Sequence, residues 1–292
     1  MGQRVFLNDR LVARNEAHIS IYDHGFLYGD GAFEGIRVYD RRVFRLEQHI
    51  ARLYRSLKSM SISLPVDQQA FINAVLDTVR SNDLESGYIR VTVSRGTFLG
   101  LDPNHMKDST PTIVISTEQL SLYPQAMYDN GLHVVTASTR VPPAVCIDPQ
   151  IKSLGRYINN ISAKMEANRV GAGEALMLNM QGNVAEATGD NVFLVINDEL
   201  ITPPTSQGAL PGITRATIMD CAKEHGIPCT EKVITLYDCY NAQEAFLTGT
   251  AAETIPMVVL DSRPIGNGKP GPNTLKLINA FHERTKTDGP VA

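Results

Sequence analysis

A lysine at position 152 closes a proline-rich stretch, TRVPPAVCIDPQ, and stands ahead of a helical pattern with Ile151 and Leu154 on either side. An amine among apolar neighbours loses solvation of its charged form and becomes available as a nucleophile toward a carbonyl, the property of a Schiff-base lysine. Read alone, Lys152 is more simply an exposed lysine at a helix start. Tyr157 follows Lys152 by five positions, a spacing that does not place it directly above the lysine on a regular helix, which implies a loop or bend between them. In LPGITR, Gly212, Ile213 and Thr214 fall where a helix should begin, and a helix N-terminus offers amide donors to a phosphate, although the same pattern also serves plain capping. GYIRVTVSR alternates strictly: Tyr88, Arg90, Thr92 and Ser94 share one strand face, and Ile89, Val91 and Val93 the other. One face is core, and the other meets water or a cavity.

The elements that must hold these residues are readable in outline. VFLNDRLV predicts a hairpin turning at Asn8-Asp9, and VFLVINDELITP a second one at Asn197-Asp198. Leu46, Ile50, Leu53, Leu57 and Met60 have the spacing of an amphipathic helix, with a further helix over Gln68–Arg80. Strands are expected at Thr112–Ser116 and Leu132–Ala137, then a helix over about Gly155–Val170. EALMLN, NVFLVI, EAFLTG and Thr254–Leu260 read as further strands. A helix begins near Thr214 and stops at Gly226, and another spans Pro272–Arg284. The sum is α+β, with an N-terminal domain over 1–137, a linker over 138–151 and a C-terminal domain over 152–292. No G-x-G-x-x-G follows a strand and opens a helix, so a dinucleotide-binding domain is not expected.

The 292 residues can bury a core without disulfides or metal, and 43% hydrophobic with 20% charged content is that of an ordinary folded protein. Disorder is expected only over Lys286–Ala292. A net charge of -4 with interspersed signs gives no positive face for nucleic acid. No apolar run is long enough to span a bilayer, and MGQRVFLNDRLV lacks a signal-peptide core, so a cytoplasmic location is expected. Cys146, Cys221, Cys229 and Cys239 form no CxxC pair and have no histidine at zinc spacing; buried or incidental thiols, and no metal, are expected.

Six motifs then stand in order along nearly the whole chain: DHGFLYGDGAFEGIR, FRLEQHIARL, GYIR, the segment IKSLGRYINN through VAEATGDNVFLV, LPGITR and TGTAAE. Together they resemble the branched-chain aminotransferases of class IV. That resemblance implies a two-domain fold-type IV fold, like that of D-amino-acid aminotransferase, with pyridoxal 5'-phosphate in a cleft between domains. Lys152 would carry the cofactor and move the proton. Glu186 would sit at the pyridine nitrogen, Tyr157 at the phenolic oxygen, and Arg52, Leu210, Gly212, Ile213, Thr214 and Thr250 around the phosphate, with Asn191 among the cofactor residues. Tyr88, Gly35 and the turn Thr250-Ala251 would meet the substrate. Phe33 and Tyr157 would form its side-chain pocket, with Tyr28 and Leu101 from a neighbouring subunit, and Arg90 would meet a γ-carboxylate.

The implied reaction is reversible transamination between branched-chain L-amino acids and 2-oxoglutarate by a homodimer or higher homo-oligomer. D-amino-acid and (R)-amine transaminases and aminodeoxychorismate lyase share Lys152, Glu186 and the phosphate loop and stay as alternatives. FEGIR with Tyr88 and Arg90 resembles the branched-chain type. A non-catalytic vitamin B6 carrier is the reading from another class, and the intact lysine, acid and tyrosine argue against it.

Overall fold

Asn8 (φ 60°) and Asn197 with Asp198 (φ 52° and 61°) take the left-handed backbone that a tight hairpin turn requires. Each closes an antiparallel pair at the expected place. The structure is a computed structural model that describes residues 2–102, 104, 110–120 and 122–292. Its contacts group into two units: Met1–Leu120 with Ile151–Arg156 and Thr285–Ala292, and Ser121–Gln150 with Tyr157–Arg284. The chain thus crosses between units at four points, in place of a single linker over 138–151.

The first unit contains β1 (Arg4–Leu7), β2 (Arg10–Ala13), α1 (His24–Tyr28), β3 (Gly31–Tyr39), β4 (Arg42–Val43), α2 (Leu46–Ser59), α3 (Gln68–Ser81), β5 (Gly87–Ser94) and β6 (Thr112–Glu118). Its sheet runs in the order β2-β1-β6-β5-β3-β4, each neighbour antiparallel. The alternation of β5 is the one expected: Ile89, Val91 and Val93 are buried, and join Ile36 and Val38 of β3 beneath Leu46, Ile50, Leu53 and Leu57 of α2. Burying each such side chain stabilises by roughly 1.5–3 kcal/mol, so α2 is held by its stripe and not by its intrinsic propensity. The C-terminal segment is ordered, contrary to expectation. Val43 N donates to Pro290 O (2.9 Å) and Ala292 N to Arg41 O (2.8 Å), so the tail pairs with the backbone around β4.

The second unit contains α4 (Gln125–Asn130), β7 (Leu132–Thr136), α5 (Tyr157–Arg169), β8 (Glu174–Leu178), β9 (Val184–Ala187), β10 (Asn191–Ile196), β11 (Glu199–Thr202), α6 (Ile213–Glu224), β12 (Cys229–Glu231), α7 (Leu236–Tyr240), β13 (Glu244–Gly249), β14 (Glu253–Leu260), β15 (Arg263–Pro264) and α8 (Pro272–Thr285). Its mixed sheet has the order β12-β11-β10-β13-β14-β7-β8-β9, with β15 on β14. β8, β10 and β13 are buried on both faces, so their sequences show apolar runs in place of alternation. Among the described residues no helix is long and apolar enough to cross a membrane.

Candidate active site

In the first unit, the segment around Lys152 is laced to β3 like a short added strand. Phe33 N donates to Lys152 O (3.0 Å), Leu154 N to Gly31 O (2.8 Å) and Gly155 N to Gly29 O (3.0 Å). From the other side, Lys152 N donates to Ser56 Oγ of α2 (3.2 Å). Gly29 has φ 67°, and a Cβ there would lie 2.7 Å from Gly155 Cα, so the close approach of the two segments requires glycine. The peptide that carries the lysine is therefore fixed whatever its side chain does.

The Lys152 amine lies 4.7 Å from the centroid of Phe33. The amine thus lies beside an aromatic face. The Arg90 guanidinium carbon is 3.7 Å from the same centroid, and Arg90 Nε donates to Thr92 Oγ1 (3.3 Å). Gly35 pairs with Arg90, and a Cβ on it would fall 1.9 Å from the Tyr88 hydroxyl. That hydroxyl thus occupies the space left by the missing side chain, and Gly35 determines where it rests. Phe33, Gly35, Tyr88 and Arg90, all singled out in the sequence, come together on one face of β3 and β5. Tyr28 and Leu101 are exposed, at 50% and 76%.

The opposite face of β3 carries a group that the sequence reading missed. Glu34 is wholly buried and accepts from Arg52 Nε and Nη2 (2.7 and 2.8 Å) and from His49 Nδ1 (2.8 Å). Burial works against its charge, yet the Arg52 guanidinium and the hydrogen bonds from Arg52 and His49 hold its carboxyl down at about 2. Burial pushes His49 the other way, below the usual imidazole range, against the pull of Glu34. His49, Arg52 and Ser56 recur at three- and four-residue spacing on α2, a polar stripe that could have been noticed beside the apolar one. Arg37, also missed, lies 5.2 Å from the Tyr39 ring and donates through Nη1 to Leu120 O (3.3 Å).

In the second unit, Glu186 is buried on β9, where it pairs with Met177 of β8. Its Oε2 accepts from Leu210 N (2.7 Å), and Asn191 Nδ2 of β10 donates to Leu210 O (2.9 Å). The N–H and C=O of Leu210, in the loop before α6, are thereby both tied to candidate residues. Gly212 caps α6 without a side-chain hydrogen bond, Ile213 opens the helix, and Thr214 is buried in its first turn. Thr250 and Ala251 form the turn between β13 and β14, half-buried. Near it, Thr248 Oγ1 is buried and has no hydrogen-bond partner among the described residues. Tyr157 is the first residue of α5, so Lys152–Arg156 precede the helix as the spacing implied.

The first unit thus carries a lysine on a pinned loop, and the second a buried carboxylate on a strand and a helix N-terminus without a side-chain cap. The chain matches the model of the class IV amino-transferases over residues 31–259, and it belongs to that family. A Methanocaldococcus jannaschii protein provisionally named a branched-chain-amino-acid aminotransferase is 45% identical over 285 residues, covering 97% of each chain. The branched-chain aminotransferase of the thermophilic archaeon Thermoproteus uzoniensis, solved with norvaline, superposes with a TM-score of 0.91 at 34% identity, covering 98% of this chain and 96% of that one. The T.th. branched-chain amino acid aminotransferase complexed with N-(5'-phosphopyridoxyl)-L-glutamate gives 0.91 at 32% identity, covering 99% and 96%. The chain is a pyridoxal-phosphate-dependent aminotransferase of mixed helix and sheet.

Proposed function

We propose that this chain moves an amino group reversibly between branched-chain L-amino acids (leucine, isoleucine and valine) and 2-oxoglutarate, with pyridoxal phosphate carried on Lys152. The observation that carries the substrate reading is the Arg90 guanidinium stacked on Phe33 beside the Tyr88 hydroxyl. An aromatic face suits an alkyl side chain, and a permanently charged guanidinium beside it meets a γ-carboxylate. The two similar structures, one with a glutamate adduct and the other with norvaline, support the same pair of substrate types.

The residues present fit the cofactor. Gly212, Ile213 and Thr214 at the start of α6, which has no side-chain cap, suit a phosphate dianion, to which Thr250 would add a hydroxyl and Arg52 a positive charge. The cofactor supplies a carbonyl for the incoming amine and a pyridine ring that takes up electrons freed at the substrate α-carbon. Lys152 Nζ would hold it covalently, then take the α-proton and return it. Glu186 would hold a proton at the ring nitrogen while its Oε2 stays on Leu210 N. Tyr157 would donate to the phenolic oxygen, and Asn191 would keep the Leu210 loop in place. Tyr88 and the turn Thr250-Ala251 would bind the α-carboxylate, and Tyr88 is set for this by Gly35.

The same reading makes the enzyme a cytoplasmic homodimer or higher homo-oligomer. Its four cysteines are thiols, as suits a reducing compartment. Ile21, Phe26, Tyr28, Leu99 and Leu101 are exposed apolar residues on two segments joined by the Asp23–Thr97 bridge, a surface suited to a second copy of the chain. Sedimentation velocity at micromolar concentration should give a dimer or larger, and a monomer would contradict it.

Stopped-flow absorbance of the bound cofactor, one substrate at a time, tests the substrate reading. L-leucine and L-glutamate should each convert the cofactor, while D-alanine and (R)-1-phenylethylamine should not. In Arg90→Ala, glutamate and 2-oxoglutarate should lose about ten- to 150-fold in kcat/KM, the worth of one charge-assisted hydrogen bond, and leucine much less. Equal losses would assign Arg90 to the α-carboxylate or the fold.

A further inference from the structure

We propose that Glu34 is a positioning residue that fixes the Arg52 guanidinium for the phosphate of the cofactor. The inference rests on the reading of Arg52 as the phosphate arginine and deepens it.

A wholly buried carboxylate is costly to place in a core, and an apolar residue between Ala32 and Ile36 would serve the packing of α2 at least as well. What Glu34 provides is geometry. Its two oxygens take Nε and Nη2 of Arg52 side-on, at 2.7 and 2.8 Å, which directs the Nη1 edge of the planar guanidinium away from the carboxylate. A long side chain that would otherwise sample many rotamers is held in one. An ionised carboxylate only accepts hydrogen bonds, so His49 Nδ1 carries the proton in its 2.8 Å contact and anchors Oε2 from a second direction.

The cluster also ties the arginine to the lysine. Glu34 follows Phe33, whose amide holds Lys152 O, and Arg52 precedes by one helical turn Ser56, whose hydroxyl holds Lys152 N. One strand and one helix thus fix both the covalent anchor and the cation for the phosphate. Burial favours the neutral form of His49, and the charge of Glu34 is balanced by that of Arg52.

The test uses the full chain, stripped of cofactor, titrated by absorbance with pyridoxal 5'-phosphate and, separately, with pyridoxal, which keeps the carbonyl and lacks the phosphate. Glu34→Gln should raise Kd for pyridoxal 5'-phosphate by about 10- to 100-fold and that for pyridoxal by less than about threefold. Equal weakening of both would show a role in the fold alone, and no change in either would show no role; each overturns the proposal. Should Glu34→Gln not fold, Glu34→Asp keeps the charge and withdraws the carboxylate by one methylene. It should still lower the preference for the phosphorylated compound, and an unchanged preference overturns the proposal. Arg52→Gln separates the two readings. If it keeps the phosphate preference, the assignment of Arg52 fails and Glu34 with it. If it loses that preference and both Glu34 variants keep it, the proposal for Glu34 alone fails.

Discussion

Lys152→Ala is expected to bind cofactor without a covalent link and to lose activity toward the upper end of the roughly 10²- to 10⁴-fold range that a positioned proton-transfer group contributes. The loss belongs to chemistry and not to folding, because the backbone of Lys152 is held through its N–H and C=O by Ser56 and Phe33. Among the contacts that the fold forgoes is the one with the Phe33 ring, worth about 0.5–1 kcal/mol at an exposed site. Melting followed by circular dichroism should therefore move little while kcat collapses. Added small primary amines should restore part of the rate, since they can carry the proton that Nζ carried. A variant that retains a tenth of wild-type kcat would remove Lys152 from the reaction.

The second large effect is expected at Glu186→Gln. Glutamine keeps the shape and an acceptor for Leu210 N, now held at 2.7 Å, so the loop before α6 should keep its place. An amide cannot hold a proton on a ring nitrogen as a carboxylate does. Removing one electrostatic group aimed at developing charge costs roughly 10²–10³-fold in kcat. The loss should fall on kcat with KM little changed, because the phosphate and the link to Lys152 retain the cofactor. Steady-state kinetics beside the absorbance spectrum of the purified variant checks both points; near-normal kcat with cofactor bound would place Glu186 away from the ring nitrogen.

How much of this was legible in the sequence depended on whether a residue's role was local. The hairpins at Asn8 and Asn197, the apolar stripe of α2 and the alternation of β5 are local patterns, and each is found as read. β3 was not recognised as a strand, although it carries Phe33, Glu34 and Gly35. It is buried on both faces along most of its length and shows no period of two; its boundary signals were the turns at Gly29-Asp30 and Asp40-Arg41. Glu34 was invisible for a related reason. An acid in an apolar run reads as a break in the pattern until a histidine and an arginine from another element are found upon it. The grouping of Ile151–Arg156 and of the C-terminal tail with the first unit rests on backbone pairing to β3 and to residues around β4, and pairing partners far apart in sequence leave no periodic trace. The candidate residues themselves were found through ordered motifs; their placement on β3, β5, β9 and the start of α6 came from the structure.

The central claim, that Lys152 carries the cofactor in a transaminase of branched-chain L-amino acids, is tested most directly by borohydride reduction of the wild-type enzyme followed by peptide mass mapping. The reduced cofactor should be found on the peptide containing Lys152. Prior addition of L-leucine without an oxo acid should abolish that label, since the lysine is released when the amino group is transferred; D-alanine should leave it intact. A label on any other lysine, or one on Lys152 that survives L-leucine and disappears with D-alanine, would contradict the account.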